Sequence, residues 1–138
     1  MINKIKFSFF VFFTINFIFS QDNLAEINFK KTVIDYGIIE YDADGSRIFE
    51  FTNTGNAPLI FTRIFSSCGC TIPKKPEEPI LPGKSGEIQV NYDTKRTGIF
   101  QKAITVMSNA KTPNIILRIK GEVLPKLDEV EEDENKDK

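Results

Sequence analysis

The two cysteines of this 138-residue chain, Cys68 and Cys70, stand one residue apart in the segment Ser-Ser-Cys-Gly-Cys-Thr at residues 66–71. Two thiols at this spacing allow a local disulfide, a redox-active dithiol, or a pair of thiolate ligands for a soft metal ion such as Cu(I). A further interpretation is structural: both side chains pack at a strand end without chemistry, or contact a second molecule. These two residues are the candidate site of the chain.

Each interpretation of the cysteine pair has its own requirement. On an extended strand the Cα atoms of residues i and i+2 lie near or beyond the disulfide limit of about 6.8 Å, so the backbone would have to bend at Gly69. A redox dithiol would benefit from the positive charges of Lys74 and Lys75, although the spacing is not the C-x-x-C of common oxidoreductases. A copper site needs a third ligand from Met107, from the backbone or from a second molecule.

The absence of histidine narrows the remaining chemistry. Without it there is no Ser-His-Asp or Cys-His arrangement and no His-based zinc site within the chain. Two cysteines alone also rule out a zinc site of four protein ligands. We therefore expect a protein that is not an enzyme and that holds no cofactor.

The N-terminal residues 1–20 have the pattern of a secretory signal peptide. Lys4 and Lys6 precede an almost wholly apolar run at residues 7–19, and Ser20 supplies a small residue before Gln21. The apolar run is shorter than the roughly 20 residues of a membrane-spanning helix. We expect cleavage and export to the periplasm or cell surface; the alternative is an uncleaved anchor, which would be the only contact with the membrane.

The charge distribution separates a central domain from an acidic end. Residues 126–138 contribute about −4 and should be disordered, because they have little apolar surface to pack. Residues 21–125 then carry a net charge of about +1, which does not indicate binding to nucleic acid. The sequence predicts one domain at residues 21–125, followed by this tail.

The central region has the two-residue period of β-strands. Predicted strands cover residues 27–36, with a split near residues 30–32 and an end at Gly37, and residues 46–54, 58–66, 87–92, 100–107 and 114–123. Residues 73–86 contain four prolines and two glycines and are predicted to form a long crossing loop.

About seven short strands in roughly 105 residues favour an all-β, immunoglobulin-like two-sheet sandwich, with a small closed barrel as the alternative. The Cys-Trp-Cys pattern of antibody domains is missing, so the core should consist of apolar packing alone, without an inter-sheet disulfide. The alternation predicts these core residues: Phe49, Phe51, Leu59, Phe61, Ile88, Val90, Ile104, Val106, Leu117 and Ile119.

Four pieces occur in an order that resembles a family of secreted bacterial domains of unknown function: Asn53-Thr54-Gly55, Ser67-Cys68-Gly69-Cys70-Thr71, Pro82-Gly83 and Ser108-Asn109. The resemblance covers residues 27–123. It implies an immunoglobulin-like sandwich related to Hydin-type and major-sperm-protein-type domains, and it implies export. It implies no established reaction, cofactor or partner.

These observations predict an exported module that binds a partner or builds a structure in the bacterial cell envelope. Its partner would be an envelope protein or a second copy of the chain, reached through a sheet edge or through the loop at residues 73–86. The alternative function is thiol-disulfide redox chemistry or Cu(I) binding at Cys68 and Cys70.

Overall fold

Eight β-strands form two sheets in the computed structural model, which describes residues 22–127. The strands are β1 (Ile27–Phe29), β2 (Val33–Ile39), β3 (Ser46–Asn53), β4 (Phe61–Ser66), β5 (Thr71–Lys74), β6 (Ser85–Tyr92), β7 (Gly98–Ser108) and β8 (Asn114–Val123). Sheet one has the order β1-β3-β6-β5, and sheet two the order β2-β8-β7-β4. The predicted all-β two-sheet architecture is confirmed, with eight strands rather than seven.

The predicted signal peptide, residues 1–20, lies outside the described residues, as do residues 128–138 of the predicted acidic tail. Export and cleavage therefore stay predictions. Within residues 22–127, no helix has the length and apolar character that a membrane crossing requires.

The core lies between the two sheets and is built from the inward-facing side of each strand. All ten predicted core residues are buried, and none is more than 4% exposed. In β6, for example, Ile88 and Val90 are fully buried while Glu87 and Gln89 face solvent. The two-residue period of the sequence therefore identified the inward face of β3, β4, β6, β7 and β8.

The unpredicted eighth strand is β5, which begins at Thr71 and whose last two residues fall in the predicted loop at residues 73–86. Pro73 lies inside it, opposite Val90 of β6. The backbone N–H of Asp93 donates to Cys70 O (2.8 Å), so by alternation Ile72 and Lys74 bond towards β6, while Thr71 and Pro73 face away. The proline therefore removes no ladder donor, because β5 is an edge strand.

Gly37 does not end its strand, contrary to the prediction. It has φ +66° inside β2, at a register shift between Asp35 and Ile38 in the parallel pairing with β8. The Gly37 N–H donates to the Asp35 carboxylate (2.8 Å). A bulge of this kind needs a residue that tolerates positive φ, and the strand then continues to Ile39.

Pro82 and Gly83, one of the four pieces that carry the family resemblance, form a tight turn. Gly83 has φ +76°, and the N–H of Lys84 donates to Leu81 O (3.0 Å), which closes a four-residue turn with proline second and glycine third. The turn leads directly into β6.

Candidate functional site

The two cysteine sulfurs are bonded to each other in a tight turn that joins β4 of sheet two to β5 of sheet one. The Cα atoms of Cys68 and Cys70 are 5.3 Å apart, inside the usual range for a disulfide. The chain at Gly69 is therefore bent rather than extended, as the sequence required for this pairing. Closing so short a loop adds only about 1.6 kcal/mol by chain entropy, against about 3 kcal/mol for a loop of 15 residues.

Hydrogen bonds hold both ends of this turn independently of the disulfide. Before it, the Ser67 N–H donates to Ala103 O (3.0 Å), and the Ala103 N–H donates to the Ser67 hydroxyl (3.3 Å). After it, the Asp93 N–H donates to Cys70 O (2.8 Å). The turn is thus anchored to β7 on one side and to the end of β6 on the other.

The two cysteine residues differ in their exposure to solvent. Cys70 is 4% exposed and belongs to the core, whereas Cys68 is only partly buried against it. The Thr71 hydroxyl lies 4.0 Å from Cys68 Sγ and 3.9 Å from Cys70 Sγ. A Cβ placed on Gly69 would meet no atom within 4 Å, so the tip of the turn is open to solvent.

Met107, Lys74 and Lys75, which the sequence suggested as a copper ligand and as positive charges near the cysteines, make no contact with the disulfide among the interactions of residues 22–127. Met107 pairs with Arg63 and alternates with the buried Val106 and Ser108, so its side chain lies on the outer face of sheet two. Lys75 Nζ donates to Phe61 O (3.3 Å), and Lys74 is exposed. In the described part of the chain, no three His, Cys, Asp or Glu side chains cluster as a metal site.

A second feature is a gap in the hydrogen-bonded edge of β3. Strand β1 pairs with β3 only as far as Phe29 opposite Phe51, and one further bond runs from Lys30 N to Glu50 O (3.0 Å). At the other end of the gap, Ser46 N donates to the Asp44 carboxylate and Ser46 O accepts from Arg47 Nη1. Between these points, within residues 22–127, Ile48 has no backbone partner on this side.

A groove of about 280 Å³ lies along the gap. It is lined by Lys30, Lys31, Ile34, Arg47, Ile48, Phe49 and Glu50. Phe49 is buried and Ile34 is half-buried, so the floor is apolar. Lys30 pairs with Glu50 (2.8 Å), and the Arg47 guanidinium lies 4.1 Å from the Tyr36 ring centre. The three cations and one carboxylate leave the groove positively charged.

Asn53 is a residue whose role the sequence did not reveal. In the sequence it stands out only as part of the piece Asn53-Thr54-Gly55, at the end of the predicted strand at residues 46–54, and neither Asn53 nor Gly55 has positive φ. Asn53 is instead fully buried, and its side chain accepts from Glu26 N (3.3 Å) and Gly55 N (3.0 Å) while donating to Ala57 O (2.8 Å) and Ile80 O (2.9 Å). Its position at the end of a strand, two residues before Gly55, gave no signal for this network.

The fold defines the chain as an all-β, immunoglobulin-like two-sheet sandwich domain. A protein of unknown function from Porphyromonas gingivalis W83 is similar with TM-score 0.64 and 18% identity, over 78% of this chain and 51% of that one. The PapD-like domain 7 (ASH domain) of human CEP192 is similar with TM-score 0.62 and 7% identity, over 75% and 89%. The periplasmic chaperone SfaE is similar with TM-score 0.51 and 11% identity, over 73% and 58%.

At the level of sequence, residues 27–123 match the family described as protein of unknown function (DUF1573), and the chain belongs to that family. No curated protein sequence matches it. The chain spans about half the length of the P. gingivalis protein. At these identities the structural likenesses establish the fold and no shared activity.

Proposed function

We propose that this chain is an exported immunoglobulin-like module that binds a partner protein in the bacterial cell envelope and carries out no reaction in doing so. The observation that carries the proposal is the gap at Ile48 in the edge of β3, which lies over an apolar floor. An unpaired strand edge is a template for another strand, which natural proteins usually cover or blunt.

The groups around the gap indicate which groups the partner segment would carry. The N–H and C=O of Ile48 would hydrogen-bond to an extended backbone, as in other cases of strand addition. An aliphatic side chain of that segment would pack on Ile34 and Phe49. Lys31 and Arg47 would favour a neighbouring carboxylate, because Lys30 is already paired with Glu50.

Three observations support an envelope location. Residues 1–20 have the signal-peptide pattern, and the Cys68–Cys70 disulfide suits an oxidising compartment. Periplasmic chaperones and a secreted serine protease from Vibrio cholerae are among the structures with a similar fold. Localisation by cell fractionation tests this part, and recovery of the protein in the cytoplasm contradicts it.

The binding proposal is tested by blocking the edge without disturbing the sheet. Ile48→Pro removes an N–H that faces away from β6, so the ladder within sheet one keeps its bonds. The matched control, Ile48→Thr, shortens the side chain and keeps the N–H. A photo-crosslinker at the exposed residue Lys31 reports the partner in intact cells.

We expect one crosslinked envelope protein, or a crosslinked dimer of the chain, in the wild type and in Ile48→Thr. Ile48→Pro should reduce this product about tenfold if it removes a main-chain hydrogen bond and blocks approach of the strand. Equal crosslinking in Ile48→Pro, with an unchanged melting temperature, contradicts strand addition at this edge. Loss of the product in both variants points to side-chain packing and also rejects the edge mechanism.

A further inference from the structure

We propose that the Cys68–Cys70 disulfide undergoes reversible thiol-disulfide exchange, with Cys68 as the sulfur that is attacked and Cys70 as the sulfur that leaves. This activity goes beyond partner binding at the β3 edge and does not depend on it. The co-reactant is a thiol or dithiol, either a small molecule or a cysteine pair of another protein.

The assignment of the two roles follows from access. An attacking thiolate must approach the target sulfur along the S–S axis, from the side opposite the leaving sulfur. Cys70 lies in the core, so its sulfur offers little room for a second molecule, whereas Cys68 is partly exposed. The open space around Gly69 leaves the solvent side of the turn free for this approach.

The exchange is balanced in atoms and electrons. The incoming thiolate forms a bond to Cys68 Sγ, the Cys68–Cys70 bond breaks, and its electron pair goes to Cys70 Sγ, which takes a proton from water. The second thiol of a dithiol donor then attacks the donor's own sulfur in the mixed disulfide and releases Cys68 as a thiolate, which is also protonated. The donor becomes a disulfide, and the protein gains two electrons and two protons.

The surroundings of the turn favour re-formation of the Cys68–Cys70 disulfide over unfolding of the domain after reduction. The hydrogen bonds from Ser67 to Ala103 and from Asp93 to Cys70 do not involve the sulfurs, so they persist when the disulfide opens. They keep the two thiols close enough to reform the same bond. The Thr71 hydroxyl, in contact with both sulfurs, can donate to a Cys70 thiolate as it forms, and is therefore a positioning residue.

Single-cysteine variants of the full chain test the roles. Cys70→Ser leaves only Cys68, and Cys68→Ser leaves only Cys70, so each can be treated with oxidised glutathione and followed by intact mass. We expect Cys68 to form the mixed disulfide at least about tenfold faster than Cys70, because reaction rate follows access. Equal rates, or a faster Cys70, overturn the assignment.

Reduction of the wild-type chain tests reversibility. With increasing dithiothreitol under native conditions, alkylation and mass should show a reducible pair, while the circular dichroism and melting transition of the fold remain. Removal of the reductant should restore the intramolecular disulfide. A pair that resists dithiothreitol until the protein is denatured, or a fold lost on reduction, refutes reversible exchange and leaves a structural disulfide.

Variants of Thr71 separate positioning from packing. Thr71→Val keeps the shape and removes the hydroxyl, whereas Thr71→Ser retains it. We expect Thr71→Val to slow reduction of the disulfide several-fold, because Cys70 becomes a poorer leaving group, and to move the pH profile of alkylation of the reduced Cys70 thiol to higher pH, with rescue by Thr71→Ser. An unchanged pH profile in Thr71→Val would show that the Thr71 hydroxyl takes no part in the exchange. Ile48→Pro should leave the exchange rate unchanged, so failure of the binding proposal and failure of this one are distinguishable.

Discussion

Replacing Asn53 by alanine tests whether one buried side chain ties together the segments around the start of β1 and the end of β3. The Asn53 amide makes four hydrogen bonds, to the backbone of Glu26, Gly55, Ala57 and Ile80. These four bonds use the acceptor twice and both donors, and the residue is fully buried. The substitution leaves all four backbone groups without this partner.

The expected loss can be worked from the bonds. An intramolecular hydrogen bond contributes about 1 kcal/mol net, so four bonds amount to about 4 kcal/mol. That is a large share of the roughly 5–15 kcal/mol by which a domain is stable. Asn109 provides the matched control: its amide also bridges two segments, accepting from Ile60 N (2.8 Å) and donating to Pro58 O (2.9 Å), but at an exposed site. Asn109→Ala should cost about 1 kcal/mol, because water replaces the lost partners.

Urea unfolding at neutral pH, followed by circular dichroism, measures both variants against the wild type. The two losses should differ by about 3 kcal/mol at an unchanged m-value. A loss below about 1 kcal/mol for Asn53→Ala, or losses of equal size for Asn53→Ala and Asn109→Ala, would refute the reasoning that burial makes this network matter.

Three further predictions concern packing and ionisation. Gly55→Ala should lower the free energy of unfolding by more than about 2 kcal/mol, because the new Cβ would collide with the backbone of Leu24, whereas Gly69→Ala should change it by less than about 1 kcal/mol; comparable losses in urea melts contradict this. Ile104→Ala, at a fully buried site, should lower the free energy of unfolding by about 2–5 kcal/mol, while Ile99→Thr, at a site 86% exposed, should change it by no more than about 0.5 kcal/mol. A large loss for Ile99→Thr in the same urea melts would contradict the exposed position of Ile99. Burial raises the pKa of Tyr36 from 10.0 to about 12, so the contribution of the neutral Tyr36 phenol to the stability of the fold is present below pH 10 and is lost as the pH rises through 12. The difference between the ultraviolet titrations of wild type and Tyr36→Phe should show a phenol ionising near pH 12, and ionisation near pH 10 would contradict this.

Much of the sandwich could be predicted because it depends on local alternation. The alternation of apolar and polar residues in β6 and β8 places every second side chain in the core, and it does not depend on which strands are neighbours. The split of the first predicted strand followed from the polar residues between β1 and β2. Local patterns failed where an edge or a bulge was involved, as at Pro73 and Gly37, because the tolerance of proline in a strand depends on which side of the strand has a neighbour.

The candidate site was only partly accessible from sequence. The spacing of Cys68 and Cys70 identified the pair and the need for a bend at Gly69. It could not show which sulfur is buried, because that depends on how the turn packs between the sheets. The groove beside Ile48 was not foreseen at all, because its floor and its charges come from separate strands, β2 and β3, and from the segment that follows β1.

The sequence by itself determined most of the strand-forming segments, the inward-facing residues of those strands and the exclusion of histidine-based chemistry, because each depends only on residue type and short-range period. Tertiary structure alone decided the pairing of strands, and so which backbone groups have no partner. It also decided that Asn53 is a buried hydrogen-bonding centre, that β3 has an open edge at Ile48, and that Cys68 rather than Cys70 faces solvent. These properties arise between segments distant along the chain, where local sequence carries no information about the neighbour.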